Sequence, residues 1–204
     1  IFQEGQNRVK SMALVHEKLY KSENLSNISI QDYIKDIIHY LSNAYNFNSI
    51  EFNINVQDIS FNIDTAIPLG LIINEIITNS LKYAFPTSDC EPAINKFTDP
   101  AASGCEPIDN KFADSVANHH GSSKLFKDHK AEIETKLEKK DGKYIMTIRD
   151  NGIGLPEDFD IKNVDTLGLK LVNILVEQLE GSIEIINNNG TTFKINFFLK
   201  IFDR

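Results

Sequence analysis

The chain has 204 residues, a formal charge of −8 and a pI near 5.1. It is long enough for one domain with a sizeable core, and its charge has the wrong sign for a general nucleic-acid surface. Five His, two Cys and no Trp leave little for a metal or disulfide framework, and the two Cys are expected as reduced thiols in a cytosol. No apolar run reaches the length of a membrane span and no basic, apolar leader is present. The start at Ile1, without Met, points to a piece cut from something longer.

Residues 1 to about 22 read as a helix, with Val9, Met12, Ala13, Val15, His16, Leu19 and Tyr20 at helical spacing over a charged back. Part of that face wants a partner, and His16 within it reads as a structural histidine. Ser29-Ile30-Gln31-Asp32 predicts a capping box opening a helix from 30 to about 45, whose stripe is Ile30, Tyr33, Ile34, Ile37, Ile38 and Leu41. Alternation follows: Ile50, Phe52, Ile54 and Val56 share one face, and so do Ile59, Phe61 and Ile63 after a turn at Gln57-Asp58. This predicts two antiparallel strands paired as a hairpin. Asp64 or Thr65 would cap the next helix, with Pro68 in its first turn, where a missing N–H is harmless.

The apolar run from 66 to 85 reads as the central helix, with Leu69, Ile72, Ile73, Ile76, Ile77, Leu81 and Ala84 on one face. Glu75, Asn79, Lys82 and Tyr83 fall at spacings of three and four, which predicts one polar line along its surface. Asn in mid-helix costs roughly 0.5 kcal/mol against Ala, so Asn74 and Asn79 call for an offsetting role. Mg-nucleotide chemistry would use this set. Asn79 offers an amide oxygen to a hard cation, Lys82 can meet phosphate oxygens, and Glu75 can polarise a nucleophile. A plain solvated face is the alternative, and the helix alone leaves both open.

From 87 to 129 the composition shifts to Pro, Asp, Asn, Ser and Ala without period, which predicts a flexible surface insertion. It holds a near-repeat, Cys90-Glu91-Pro92 against Cys105-Glu106-Pro107, offset by fifteen. Its Cys and His residues lack zinc-ligand spacing. Strands over 131–137 and 143–150 are joined by Asp141-Gly142, a strong hairpin signal. Asp150-Asn151-Gly152-Ile153-Gly154-Leu155-Pro156 closes the second strand, a helix is expected from 167 to 179, and strands at 182–186 and 191–199 flank the turn at Asn187 to Gly190.

Four stretches in this order resemble the N, G1, G2 and G3 boxes of a known ATPase family, which includes sensor histidine kinases, heat-shock-90 chaperones, DNA gyrase and MutL. They are Asn74-Glu75-Ile76-Ile77-Thr78-Asn79-Ser80-Leu81-Lys82-Tyr83-Ala84, the Asp150 to Pro156 run, Thr166-Leu167-Gly168-Leu169-Lys170-Leu171-Val172, and Gly190-Thr191-Thr192-Phe193. The N box and the G2 box most resemble those of histidine kinases whose dimerisation module is of the second HisKA type. The resemblance implies a two-layer α/β sandwich, the Bergerat ATP-binding fold, with a mixed, largely antiparallel sheet and helices on one face. It implies ATP and Mg as cofactors, with Asn79 on Mg and Glu75 as catalytic general base. Lys82 and Tyr83 would lie near the phosphates, with Gly168 and Leu169 at a helix N-terminus that favours them. Asp150, Gly152, Gly154, Gly190 and Thr191 would surround adenine, the Asp150 carboxylate accepting its amino group. Residues 155 to 166 would be the lid, with Phe159 as an anchor.

In the same family, Asn7-Arg8-Val9-Lys10 and the residues to Tyr20 resemble the second helix of the dimerisation and phosphoacceptor hairpin. Residues 1–28 are accordingly expected to be the remnant of that module with its linker, and 29–204 the ATP-binding domain. The acceptor histidine has no counterpart in the chain. The implied function is the catalytic part of a cytoplasmic two-component sensor histidine kinase, or the cytoplasmic part of a membrane-bound one. It would be a homodimer in full length and serve a response-regulator receiver domain. An ATPase that hydrolyses ATP, or a degenerate interaction module, would be the other readings.

Overall fold

The structure is a computed structural model that describes Ala13, Glu17 and residues 27–45, 50–85, 130–155, 159 and 166–199. The expectations for the first helix, the insertion and most of the lid fall outside these residues. In chain order the elements are β1 (Ile28–Ser29), α1 (Ile30–Tyr45), β2 (Glu51–Val56), β3 (Ser60–Phe61) and α2 (Ile63–Asn79). A π-helical turn (Ser80–Ala84), β4 (Glu132–Lys140), β5 (Lys143–Asp150), α3 (Leu167–Gln178), β6 (Ser182–Asn187) and β7 (Thr191–Phe197) follow.

Five strands form one sheet in the order β2-β4-β5-β7-β6, with β2 parallel to β4 and the other pairs antiparallel. The two-residue period decides which face is covered. Ile133, Leu137, Tyr144, Met146, Ile148, Phe193, Ile195 and Phe197 are buried in one core with Ile34, Leu69, Ile73, Ile76 and Val172 of the helices. The intervening strand residues are mostly polar and face away, as in the Glu184–Lys194 pair. Helices on one face and solvent on the other make the expected two-layer α/β sandwich.

Two local expectations are corrected. The segment after β2 does not fold back onto it. Instead β3 pairs with β1 through Ile28 and Phe61, and β2 pairs along its length with β4. The reason is packing: Phe61 enters an aromatic cluster, edge-on to Tyr144 at 4.9 Å, while Tyr144 stacks on Phe197 at 5.5 Å. Such pairs add about 0.5–1.5 kcal/mol beyond their buried area. Helix α2 also starts earlier than expected, at Ile63, because Asn62 is its N-cap and accepts the Thr65 N–H at 3.1 Å. Pro68 therefore sits inside the helix, past its first turn. The helical bond it forfeits is the one to the carbonyl of Asp64, an exposed residue, so that water can substitute. The other capping site holds: Ser29 accepts the Asp32 N–H at 3.5 Å.

The hairpin at Asp141-Gly142 forms as expected, both residues at positive φ (52° and 77°). It sets the register in which Ile133 faces Asp150. Asp150 is thereby the last member of the inward row Tyr144, Met146, Ile148, Asp150, and its carboxylate enters the helix layer.

Candidate functional site

Asp150 is 3% exposed. A buried carboxylate is costly unless it is hydrogen-bonded, and this one has three donors. Its Oδ1 accepts the backbone N–H groups of Gly152 and Thr191, each at 3.1 Å, and its Oδ2 accepts the Ser80 hydroxyl at 2.9 Å. Burial pushes the carboxyl above its ordinary pKa, while Thr191, Ser80, Gly152 and the charge of Arg149 pull it back. A carboxylate offers about four acceptor positions, so one remains, on Oδ2.

Glycines bring the surrounding backbone in. A Cβ on Gly152 would overlap the Ala84 carbonyl, the group that accepts the Ile153 N–H at 3.0 Å. Gly190, at φ 108°, lies so close to Asp150 that a Cβ would overlap the Asp150 carbonyl. Gly154 has φ 79° and faces Asn187. Asn187 accepts the Leu155 N–H at 3.0 Å and donates to its carbonyl at 2.6 Å. Asn151 makes a similar pair, accepting from the Glu132 N–H at 2.8 Å and donating to the Lys130 carbonyl at 2.9 Å. The loop after β5 is thus tied on both sides.

The end of α2 meets this loop through the π-helical turn. The Ser80 N–H is shared between the Ile76 and Ile77 carbonyls, and the wider turn then carries Lys82 and Tyr83, both half-buried. The polar line expected along α2 is not a solvent-facing line. Glu75 is 2% exposed and Asn74 3%, with the Asn74 amide donating to the Glu75 carboxylate at 3.5 Å, whereas Asn79 is half-exposed. Packing of α2 between α1 and α3 buries most of its circumference, which helical spacing alone does not reveal. Gly168 and Leu169 are buried in the first turn of α3. Its N-cap Thr166 makes no side-chain cap bond, so the first amides of α3 are left without that partner.

The structure therefore brings Asp150, Gly152, Gly190 and Thr191 together, with Gly154 at the loop's far end. Sequence reasoning assigns nothing to Ser80 or Asn187. For Ser80 the available signal is weak, a hydroxyl beside Leu81 in a helix that also carries Thr78 and Asn79. Asn187 gives none, since in sequence it is one Asn among the three that open a turn.

The acceptor position left on Oδ2 can take a hydrogen bond from an N–H donor, since an ionised carboxylate only accepts. The half-exposed Asn79 side chain carries an amide oxygen of the kind a hard cation takes. No group of three or more His, Cys, Asp or Glu able to hold a metal lies among the described residues. Mg bound with a nucleotide needs one or two protein oxygens, with phosphates and water supplying the rest.

Residues 64–201 match the family model described as histidine kinase-, DNA gyrase B-, and HSP90-like ATPase, and residues 1–45 match one described as histidine kinase. The sensor histidine kinase PdtaS of Mycobacterium tuberculosis is 25% identical over 183 residues, covering 88% of this chain and 28% of that protein. Blue-light-activated histidine kinase 2 of Erythrobacter litoralis is 22% identical over 169 residues, 83% of this chain and 37% of that protein. The chain thus spans well under half the length of these relatives. Among solved structures, the histidine kinase domain of the Erythrobacter litoralis EL346 blue-light-activated kinase superposes with a TM-score of 0.65 at 19% identity. That match covers 94% of this chain and 73% of the other, a likeness of fold. The chain belongs to the histidine kinase-, DNA gyrase B-, and HSP90-like ATPase family, as an ATP-binding domain of the histidine kinase type.

Proposed function

We propose that the chain binds ATP with Mg and directs its γ-phosphoryl group to a histidine outside the ATP-binding fold, as the catalytic part of a two-component sensor histidine kinase. The observation that carries this reading is the buried Asp150 carboxylate, held by three donors with one acceptor position left on Oδ2. In this reading Asp150 accepts the adenine amino group, while Gly152, Gly154, Gly190 and Thr191 shape the floor around the base. Asn79 supplies an oxygen to Mg, which neutralises phosphate charge when bound. Lys82 and Tyr83 lie along the phosphates, with the Gly168 and Leu169 amides at the α3 N-terminus. Phosphoryl transfer is mainly positioning and charge neutralisation, and Glu75 is the proposed base that takes the proton from the attacking imidazole. The receiver domain of a response regulator is the proposed next acceptor. A homodimer through the N-terminal segment fits the match of residues 1–45 to a histidine kinase model. No helix among the described residues is long and apolar enough to cross a membrane, and the catalytic part is proposed to act in the cytoplasm.

Calorimetric titration with ATP, with and without Mg, tests the reading on the chain itself and on Asn79→Ala. Saturable binding, with a Mg dependence that Asn79→Ala removes, supports it. Steady phosphate release without any phosphoprotein would favour an ATPase that uses water, and no binding at millimolar ATP would favour an interaction module.

A further inference from the structure

Ser80 is 4% exposed on a helical turn where Ala would be preferred by roughly 0.5 kcal/mol. A buried hydroxyl is costly unless it is bonded, and the bond it makes is to Asp150 Oδ2, at 2.9 Å and seventy positions away in the chain. The two backbone donors from Gly152 and Thr191 both converge on Oδ1. They leave Oδ2 free to swing about that anchor. Ser80 is the second fixed point. It is itself immobilised, because its N–H is shared by the carbonyls of Ile76 and Ile77 at the end of α2.

We propose that Ser80 is a specificity-determining positioning residue: it fixes the Asp150 carboxylate in the orientation whose remaining acceptor position meets an exocyclic amino group. The pocket thereby selects 6-aminopurine nucleotides over purine nucleotides without that group. The inference rests on the nucleotide reading above and adds to it the residue that enforces base choice. Because Ser80 touches the base only through Asp150, its removal acts on the base's amino group and not on the phosphates.

The test is a set of titrations of the chain with two nucleotides, ATP and purine riboside triphosphate, which lacks the amino group. Wild type is expected to prefer ATP. Ser80→Ala should lose about tenfold in ATP affinity, roughly one hydrogen bond to a charged group, with purine riboside triphosphate binding unchanged. Ser80→Thr, which keeps the hydroxyl, should restore the preference. If the melting temperature of the Ala variant collapses, Ser80→Cys replaces it at similar volume and is expected to show the same selective loss. Equal losses for both nucleotides, or no loss for either, would overturn the inference while leaving the nucleotide site standing. A wild type that binds neither nucleotide, or binds both alike, would instead remove the reading on which it rests.

Discussion

The side-chain amide of Asn187 pairs twice with the backbone of Leu155, accepting its N–H at 3.0 Å and donating to its carbonyl at 2.6 Å. The turn between β6 and β7 thereby grips the loop that leaves β5, as an extra strand residue would. Each such bond contributes about 0.5–1.5 kcal/mol net. Asn187→Ala should lower stability by about 1–2 kcal/mol in denaturant titration, and the Leu155 amide should lose most of its hydrogen-exchange protection while amides of β5 keep theirs. Unaltered exchange at Leu155 would mean that the grip is incidental.

Gly152 and Ala84 form a second contact between the two halves of the site. Ala84 accepts the Ile153 N–H at 3.0 Å, and the missing Cβ of Gly152 leaves room for that carbonyl. A methyl group there must displace backbone, which yields less readily than a side chain. Gly152→Ala is expected to cost about 1–3 kcal/mol, the usual range for overpacking, and to weaken ATP binding because the loop floor shifts. A variant with unchanged melting temperature and affinity would show that the loop relaxes freely.

Much of this is legible from residues. The reading of 143–150 as a strand that Asp150 ends agrees with β5, while the burial of that last carboxylate appears only in the structure. Asp141-Gly142 predicts its turn for a local reason, two positive φ angles. The partner of β2 is not legible. Ile50 to Val56 alternate equally well for a hairpin or a parallel ladder, and the choice falls to Phe61, drawn away into the Tyr144 and Phe197 cluster. The burial of Glu75 escapes for a similar reason: helical spacing gives an angle around the helix, not the number of neighbours that surround it. Ser80 needs three dimensions, because its partner is seventy positions distant.

Asp150 predicts a pH dependence of definite sign. Burial raises its folded-state pKa above the unfolded value near 4. The folded state therefore holds a proton more readily than the unfolded one. The stability this group contributes is fully present below the unfolded pKa and is lost as pH rises through the raised folded value. Asp150→Asn removes that loss, so its melting temperature relative to wild type should climb as pH rises through the window between the two pKa values. Binding runs the other way. Only the ionised carboxylate accepts the base's amino group, so ATP affinity of the wild type should fall as pH drops through the same window. In Asp150→Asn the amide oxygen is claimed by the Gly152 and Thr191 N–H groups, which leaves an NH2 facing the base's own NH2. A loss of about a hundredfold in ATP affinity is expected, roughly 3 kcal/mol. A flat pH profile for wild-type binding would place the base elsewhere.

Glu75 supplies the sharpest separation of binding from chemistry. It is 2% exposed, one helical turn before Asn79, and receives the Asn74 amide at 3.5 Å. Gln has the same shape and keeps the oxygen that Asn74 reaches, but it cannot take a proton. In the full-length protein, Glu75→Gln should leave the ATP dissociation constant within about threefold of wild type, because its proposed role begins only when the imidazole attacks. The phosphorylation rate should fall by about 10²–10⁴, the span of general-base catalysis. Quench-flow phosphorylation with saturating ATP measures the second quantity and calorimetry the first. If both change together, Glu75 supports the architecture of α2 rather than the proton transfer. If neither changes, the proton leaves by another route, and phosphoryl transfer here depends on positioning alone.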